Sequence, residues 1–220
     1  MRHLAIIPVY DEKRENYLRL YKGKPVLAHA IDNAFASGFF DEIMVITLDE
    51  KIARIARDHD ANVSMLFDLK TAFKQHNINQ VLLDVMTLYK ARGVMFKYAC
   101  CIYGLSPVIR KSLLEEAYHK LRAGKLDSVI PVVSVHRRPD KAFRLNKGKL
   151  ERPAPQKPSV PETDYYDWEQ FYWFDTRKLF KNKSLLTSNT GSIIIPPACM
   201  NAWGLAPTAA ATTSFNYSMS

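Results

Sequence analysis

Leu4-Ala5-Ile6-Ile7-Pro8 opens the chain with an unbroken apolar run. A run without alternation predicts a strand buried on both faces, as in a parallel sheet, ended by its proline. A charged stretch, Asp11 to Asn16, reads as a loop. Val26, Leu27, Ala30, Ile31 and Ala34 then recur at helical spacing behind Gly23-Lys24-Pro25, and Gly38 stops that helix. Glu42 to Thr47 reads as a second buried strand, Asp49 to Asp58 as a short helix, and Asn62 to Phe67 as a third strand. Residues 4–67 thus alternate β-α-β-α-β, which predicts a parallel sheet with helices on both faces.

The pattern continues with a helix over Gln80–Tyr89, a strand over Phe96–Tyr103, a helix over Val108–Leu121 and a strand over Asp127–Val133. The stretch from Pro139 to Pro161 holds five prolines among basic residues. Within it, Arg144 to Leu150 predicts a hairpin turning at Lys147-Gly148. Residues 134–167 are therefore expected to form an inserted arm. Gln170 to Phe174 is an aromatic strand, Lys178 to Lys183 a short helix, and Ser192 to Pro196 a last strand. The 23 residues from Ala198 to Ser220 contain no Asp, Glu, Lys or Arg and form an atypical uncharged tail.

Composition narrows the class. The chain has 220 residues, 47 % of them hydrophobic and 24 % charged, enough for one sizeable core over residues 1–197. No apolar run approaches the ~18–20 residues of a membrane span, and the opening run falls short of the ~7–15 of a signal-peptide core. A cytoplasmic protein with no membrane partner is expected. The net charge of +9 favours anionic partners. Its basic residues are dispersed and match no nucleic-acid motif, so no nucleic-acid partner is expected. Three cysteines, with Cys100 and Cys101 adjacent, fit neither a disulfide framework nor a zinc site. No paired base marks either as a nucleophile.

The order of the motifs points further. Leu4 to Pro8, Gly23-Lys24-Pro25, Ser37-Gly38, Ala99 to Tyr103, Asp127-Ser128-Val129-Ile130-Pro131-Val132 and Ser188-Asn189-Thr190-Gly191 follow one another as in sugar nucleotidyltransferases that use CTP. Asp167 with Gln170-Phe171-Tyr172-Trp173 resembles the D-A-G-Q-F-Y-W segment of pseudaminic acid cytidylyltransferases, relatives of the CMP-sialic acid synthetases. The resemblance implies a Rossmann-like α/β nucleotidyltransferase fold with a mostly parallel sheet and a projecting arm. It implies that CTP and an acidic nine-carbon sugar react to give a CMP-sugar and pyrophosphate, with Mg²⁺ as cofactor. It also implies a homodimer that exchanges the arm. Carried over by position, Asp167 and Lys13 are the catalytic candidates. Pro8, Lys13, Arg14, Asn16 and Ser106 are the nucleotide-binding ones, and Tyr103, Gln170, Phe171 and Tyr172 the sugar-binding ones.

Several positions depart from that pattern. The first loop lacks the family's two glycines and its serine, so its backbone is less able to wrap a phosphate, and Asp11 and Glu12 repel one. No Arg-Pro pair follows Phe67. Trp168 and Glu169 replace Ala and Gly. No carboxylate follows Asp175, so the family's metal-binding aspartates have no counterpart and no metal ligand is assigned. A frame change or a truncation near codon 198 would account for the tail. These departures predict impaired catalysis; the alternative is a degenerate relative that binds a nucleotide or partner without turnover.

Overall fold

The computed structural model describes residues 2–10, 14–64, 77–105, 109–136, 144–146, 149–151 and 163–196. They fall into two compact units. The first takes residues 2–131 and 168–193. It opens with β1 (His3–Pro8), α1 (Arg14–Leu18), β2 (Leu20–Tyr21), β3 (Lys24–Pro25), α2 (Val26–Ser37), β4 (Glu42–Ile46), α3 (Glu50–Asp58) and β5 (Asn62–Ser64). It continues with α4 (Ile78–Ala91), β6 (Tyr98–Ile102), α5 (Lys111–Ala123) and the first half of β7 (Ser128–His136). After a break come β11 (Phe171–Asp175), α6 (Thr176–Asn182) and most of β12 (Thr190–Ile194). The second unit holds the rest of β7 together with β8 (Arg144–Asn146), β9 (Lys149–Glu151) and β10 (Thr163–Asp167). Among the described residues, no helix is long and apolar enough to cross a membrane.

In the first unit the strands run in the order β7-β11-β6-β1-β4-β5, with β12 also on β7. β6, β1, β4 and β5 are parallel, and β11 enters antiparallel between β6 and β7. The parallel part comes from the alternating pattern, because each helix returns the chain to start the next strand in the same direction. β1 is the innermost of these strands. Leu4, Ala5, Ile6 and Ile7 are each 0 % exposed, which is why no polar residue interrupts the run. Burying each of its larger side chains contributes about 1.5–3 kcal/mol.

Side chains leave the sheet alternately to two sides. Leu4, Ile6, Met44, Ile46, Ala99, Cys101, Tyr172 and Phe174 face Val81, Leu82, Val85 and Met86 of α4 and Leu179 of α6. Their alternates, among them Ile7, Cys100, Phe171 and Trp173, face the layer of α2 and α5. There Trp173 stacks on Phe40 at 5.2 Å and meets Tyr118 of α5 at 5.1 Å. Both cysteines are free and fully buried, and burial raises both thiols.

Several expectations shift at their edges. The helix expected from Val108 starts at Lys111, behind an extended Arg110; Val108 lies outside the described residues. The strand expected to reach Phe67 is described over Asn62–Ser64. A short helix begins at Arg14, inside the stretch read as a loop. The β2–β3 hairpin was invisible to periodicity. It turns at Lys22 and Gly23, which have φ +46° and +84°, a pair of left-handed residues that suits the twist of a two-residue hairpin. The imidazole of His29 donates to the Tyr21 carbonyl at 2.6 Å and holds this hairpin to α2. In the second unit, β8 and β9 pair as the hairpin expected from the sequence, although its turn residues are outside the described set. Within the expected arm, β10 is a strand: it pairs antiparallel with residues 132–136 of β7.

Asp127 anchors the end of the first unit. Its buried carboxylate accepts from Asn182 Nδ2 at 2.7 Å, Asn189 Nδ2 at 3.0 Å and Thr187 Oγ1 at 3.1 Å, with Lys178 Nζ at 3.2 Å. Burial alone would raise this carboxyl, but the donors outweigh it and hold it below the usual carboxylate value. A depressed folded-state value stabilises the fold above the unfolded value, near ~3.9, and that stability is lost as pH falls through the folded value. The Asp127→Ala variant should lose about 2–3 kcal/mol in urea unfolding at pH 7, because four donors lose their acceptor. In Asp127→Asn the fall in the urea midpoint below about pH 4 should be shallower than in the parent.

Candidate active site

Strand register decides which candidates meet. Pro8 is opposite Ile46 in the β1–β4 pair, so both parallel strands end at one edge of the sheet. β6 ends there too, at Ile102. Because β11 runs antiparallel to β6, its first residue, Phe171, is opposite Ile102. The segments after β1, β4 and β6 and before β11 therefore share the carboxyl-end edge, where open α/β sheets bind ligands. The Val9 N–H donates to the Ile46 carbonyl at 2.9 Å, and the Tyr103 N–H to the Gln170 carbonyl at 3.0 Å, closing this edge.

Pro8 is buried as the last residue of β1 and ends the strand. Arg14 and Asn16 are carried by α1, with Arg14 half-buried and Asn16 exposed. α1 is fastened by Tyr17, 2 % exposed, whose hydroxyl is hydrogen-bonded to the Tyr10 backbone. Burial pushes that phenol up to about 12. Gly104 makes the close approach possible: a Cβ there would come within 3.1 Å of the Tyr17 ring and 3.2 Å of Ile7 and Leu27. Lys13 and Ser106 lie outside the described residues. Asp167 is exposed on β10, in the second unit, where its backbone is in register with Val132.

The aromatic candidates divide. Tyr103 and Tyr172 meet edge to face at 5.4 Å, their hydroxyls hydrogen-bonded, on the α4 side of the sheet. Burial above all pushes the Tyr103 phenol far up, and the Glu169 carboxylate adds to it. Tyr103 is therefore protonated at neutral pH and serves as a hydrogen-bonding group, not a base. Gln170 contributes its carbonyl to this group through Tyr103. Phe171 is 1 % exposed and, one residue along the strand, turns to the other face with Trp173. The structure thus brings Tyr103, Gln170 and Tyr172 together and sends the Phe171 ring into the opposite core.

Asp49, which the sequence reading left out of the site, is at this edge. It caps α3, accepting the Ile52 N–H at 2.9 Å, and its own N–H donates to Thr47 Oγ1 at 3.1 Å. The Nε of Arg14 donates to its second oxygen. Burial alone would raise the Asp49 carboxyl, but the Ile52 N–H and the Arg14 guanidinium outweigh it and hold it below the usual value. The cap was legible, since an Asp ahead of an amphipathic helix is a start signal. Its partner Arg14, 35 residues away, was not.

Among the described residues, no three His, Cys, Asp or Glu side chains gather as metal ligands. Asp49 is taken by the helix cap and by Arg14. With Asp49 so engaged, the chemistry of this edge is derived from the chain's own groups.

A family model for cytidylyltransferases matches residues 15–167. The chain belongs to the cytidylyltransferase family. It is 24 % identical over 206 residues to a pseudaminic acid cytidylyltransferase of Campylobacter jejuni strain 81-176, covering 90 % of this chain and 88 % of the relative. It is 28 % identical over 137 residues to a CMP-N,N'-diacetyllegionaminic acid synthase of Legionella pneumophila, covering 60 % of this chain and 59 % of that one. Among solved structures, a CMP:2-keto-3-deoxy-manno-octonic acid synthetase complexed with CTP matches with a TM-score of 0.63 at 16 % identity, covering 92 % of this chain and 97 % of that one. At that identity the likeness shows the nucleotidyltransferase fold.

One position of this cytidylyltransferase departs from the segment it resembles with a consequence for the backbone. Glu169 has φ +48°, in the left-handed region that favours glycine. The family segment it resembles has glycine at this position. Glu169→Gly should therefore stabilise the fold by about 0.5–1 kcal/mol, raising the melting temperature by roughly 1–4 °C for a chain of this size. An unchanged or lower midpoint would mean that the Glu169 side chain holds more than its backbone strain costs.

Proposed function

We propose that this cytidylyltransferase couples CTP to an acidic nine-carbon sugar of the pseudaminic or sialic type, and that it does so slowly. The anomeric hydroxyl attacks the α-phosphorus and loses its proton, the bond from the α-phosphorus to the bridging oxygen breaks, and CMP-sugar and pyrophosphate leave. The observation that carries this reading is the meeting at one sheet edge of α1 with Arg14 and of the Tyr103–Gln170–Tyr172 group. A cation beside β1 suits a triphosphate. Protonated phenols and an amide suit the hydroxyls of a sugar. Relatives named for this reaction on two acidic sugars support the substrate class.

Slowness follows from the loop between β1 and α1, which has no glycine and carries Asp11 and Glu12. It also follows from the commitment of Arg14 to Asp49. The same commitment favours the second reading, a protein that binds a nucleotide or a partner without turnover. A cytoplasmic location suits a consumer of CTP with buried free thiols. Pairing of two copies through residues 134–167 completes the reading, and light scattering should return twice the chain mass.

With CTP, Mg²⁺ and a panel of nine-carbon acidic sugars, pyrophosphate release should be detectable with kcat at or below about 1 s⁻¹, against a median near ~10 s⁻¹ for enzymes. Turnover above that median would contradict the slow reading. CTP binding with no pyrophosphate from any sugar would replace it with the second.

A further inference from the structure

The corner between β1 and α3 holds an ion pair that works against the proposed reaction. Arg14 donates through Nε to Asp49 and through Nη1 to Glu15 at 3.1 Å, so two carboxylates flank one guanidinium. Asp49 cannot easily yield. Its other oxygen is fixed to the Ile52 N–H at 2.9 Å, its backbone to Thr47 at 3.1 Å, and Thr47 is 0 % exposed. The Asp49 side chain is 18 % exposed and that of Arg14 39 %, so the fixed partner is the acid and the movable one is the long arginine. A triphosphate arriving at this edge must either draw Arg14 away and leave the Asp49 carboxylate unpaired, or bind beside a guanidinium already neutralised. Both oppose binding.

We propose that Asp49 sets the affinity of this site for the nucleotide by competing with its triphosphate for Arg14. The proposal rests on the CTP reading above and names the residue that holds the affinity down. The pair is partly exposed, so the effect is modest: a few-fold, not many orders of magnitude.

Asp49→Asn tests it, because asparagine caps a helix as well as aspartate does and carries no charge. Binding of CTP and of inorganic tripolyphosphate is measured by calorimetry on the parent, Asp49→Asn, Arg14→Ala and the double variant. Asp49→Asn should bind both ligands about three- to tenfold tighter, and Arg14→Ala should erase that gain in the double variant. A gain in affinity cannot come from misfolding. Unchanged or weaker binding in Asp49→Asn, including no measurable binding in either protein, would overturn the proposal. So would a gain that survives in the double variant, since the competition would then not involve Arg14. Tighter tripolyphosphate binding without pyrophosphate release from any acidic sugar would uphold the proposal and remove the transferase reading.

Discussion

The burial of β1 on every side is the constraint from which the rest of the first unit follows. β1 has parallel partners on both edges and apolar layers on both faces, and Leu4 to Ile7 have no exposed surface. A strand so enclosed tolerates no polar residue and must pass its chemistry to whatever follows its end. Pro8 ends it, and the next residues emerge where β4 and β6 also end. β11 then arrives from the opposite direction and begins at the same edge, which is how Gln170 and Tyr172 reach Tyr103.

The parallel strands and their helices were legible because burial on two faces leaves an apolar run and burial on one leaves helical spacing. Leu4 to Pro8, Ile43 to Thr47 and Ala99 to Ile102 carry that signal plainly. α1 and the β2–β3 hairpin were not legible. A five-residue helix and two-residue strands are shorter than any period that could reveal them. The antiparallel insertion of β11 between β6 and β7 leaves no local mark either, since Phe171 to Phe174 is buried on both faces and so resembles the parallel strands.

At the site, Tyr103 and Gln170 meet at the carboxyl-end edge, whereas the Phe171 ring turns away from them. Consecutive strand residues part to opposite faces, so Tyr172 joins Tyr103 and Phe171 joins the core. The Arg14–Asp49 pair depends on the start of α1 meeting the cap of α3 beside the β1–β4 ladder, a fact of topology that composition cannot carry. Glu169 shows the reverse case: the departure from the glycine of the segment it resembles became a physical statement once its φ was known.

The central claim is that the carboxyl-end edge of β1, β4 and β6 is where the nucleotide binds. Hydrogen–deuterium exchange with and without CTP tests it most directly, because amides are read along the whole chain at once. New protection should fall on residues 9–18, 103–105 and 168–171. Protection confined to the opposite edge, around Asp41, Lys97 and Asp127, or no change anywhere at saturating CTP, would contradict the account.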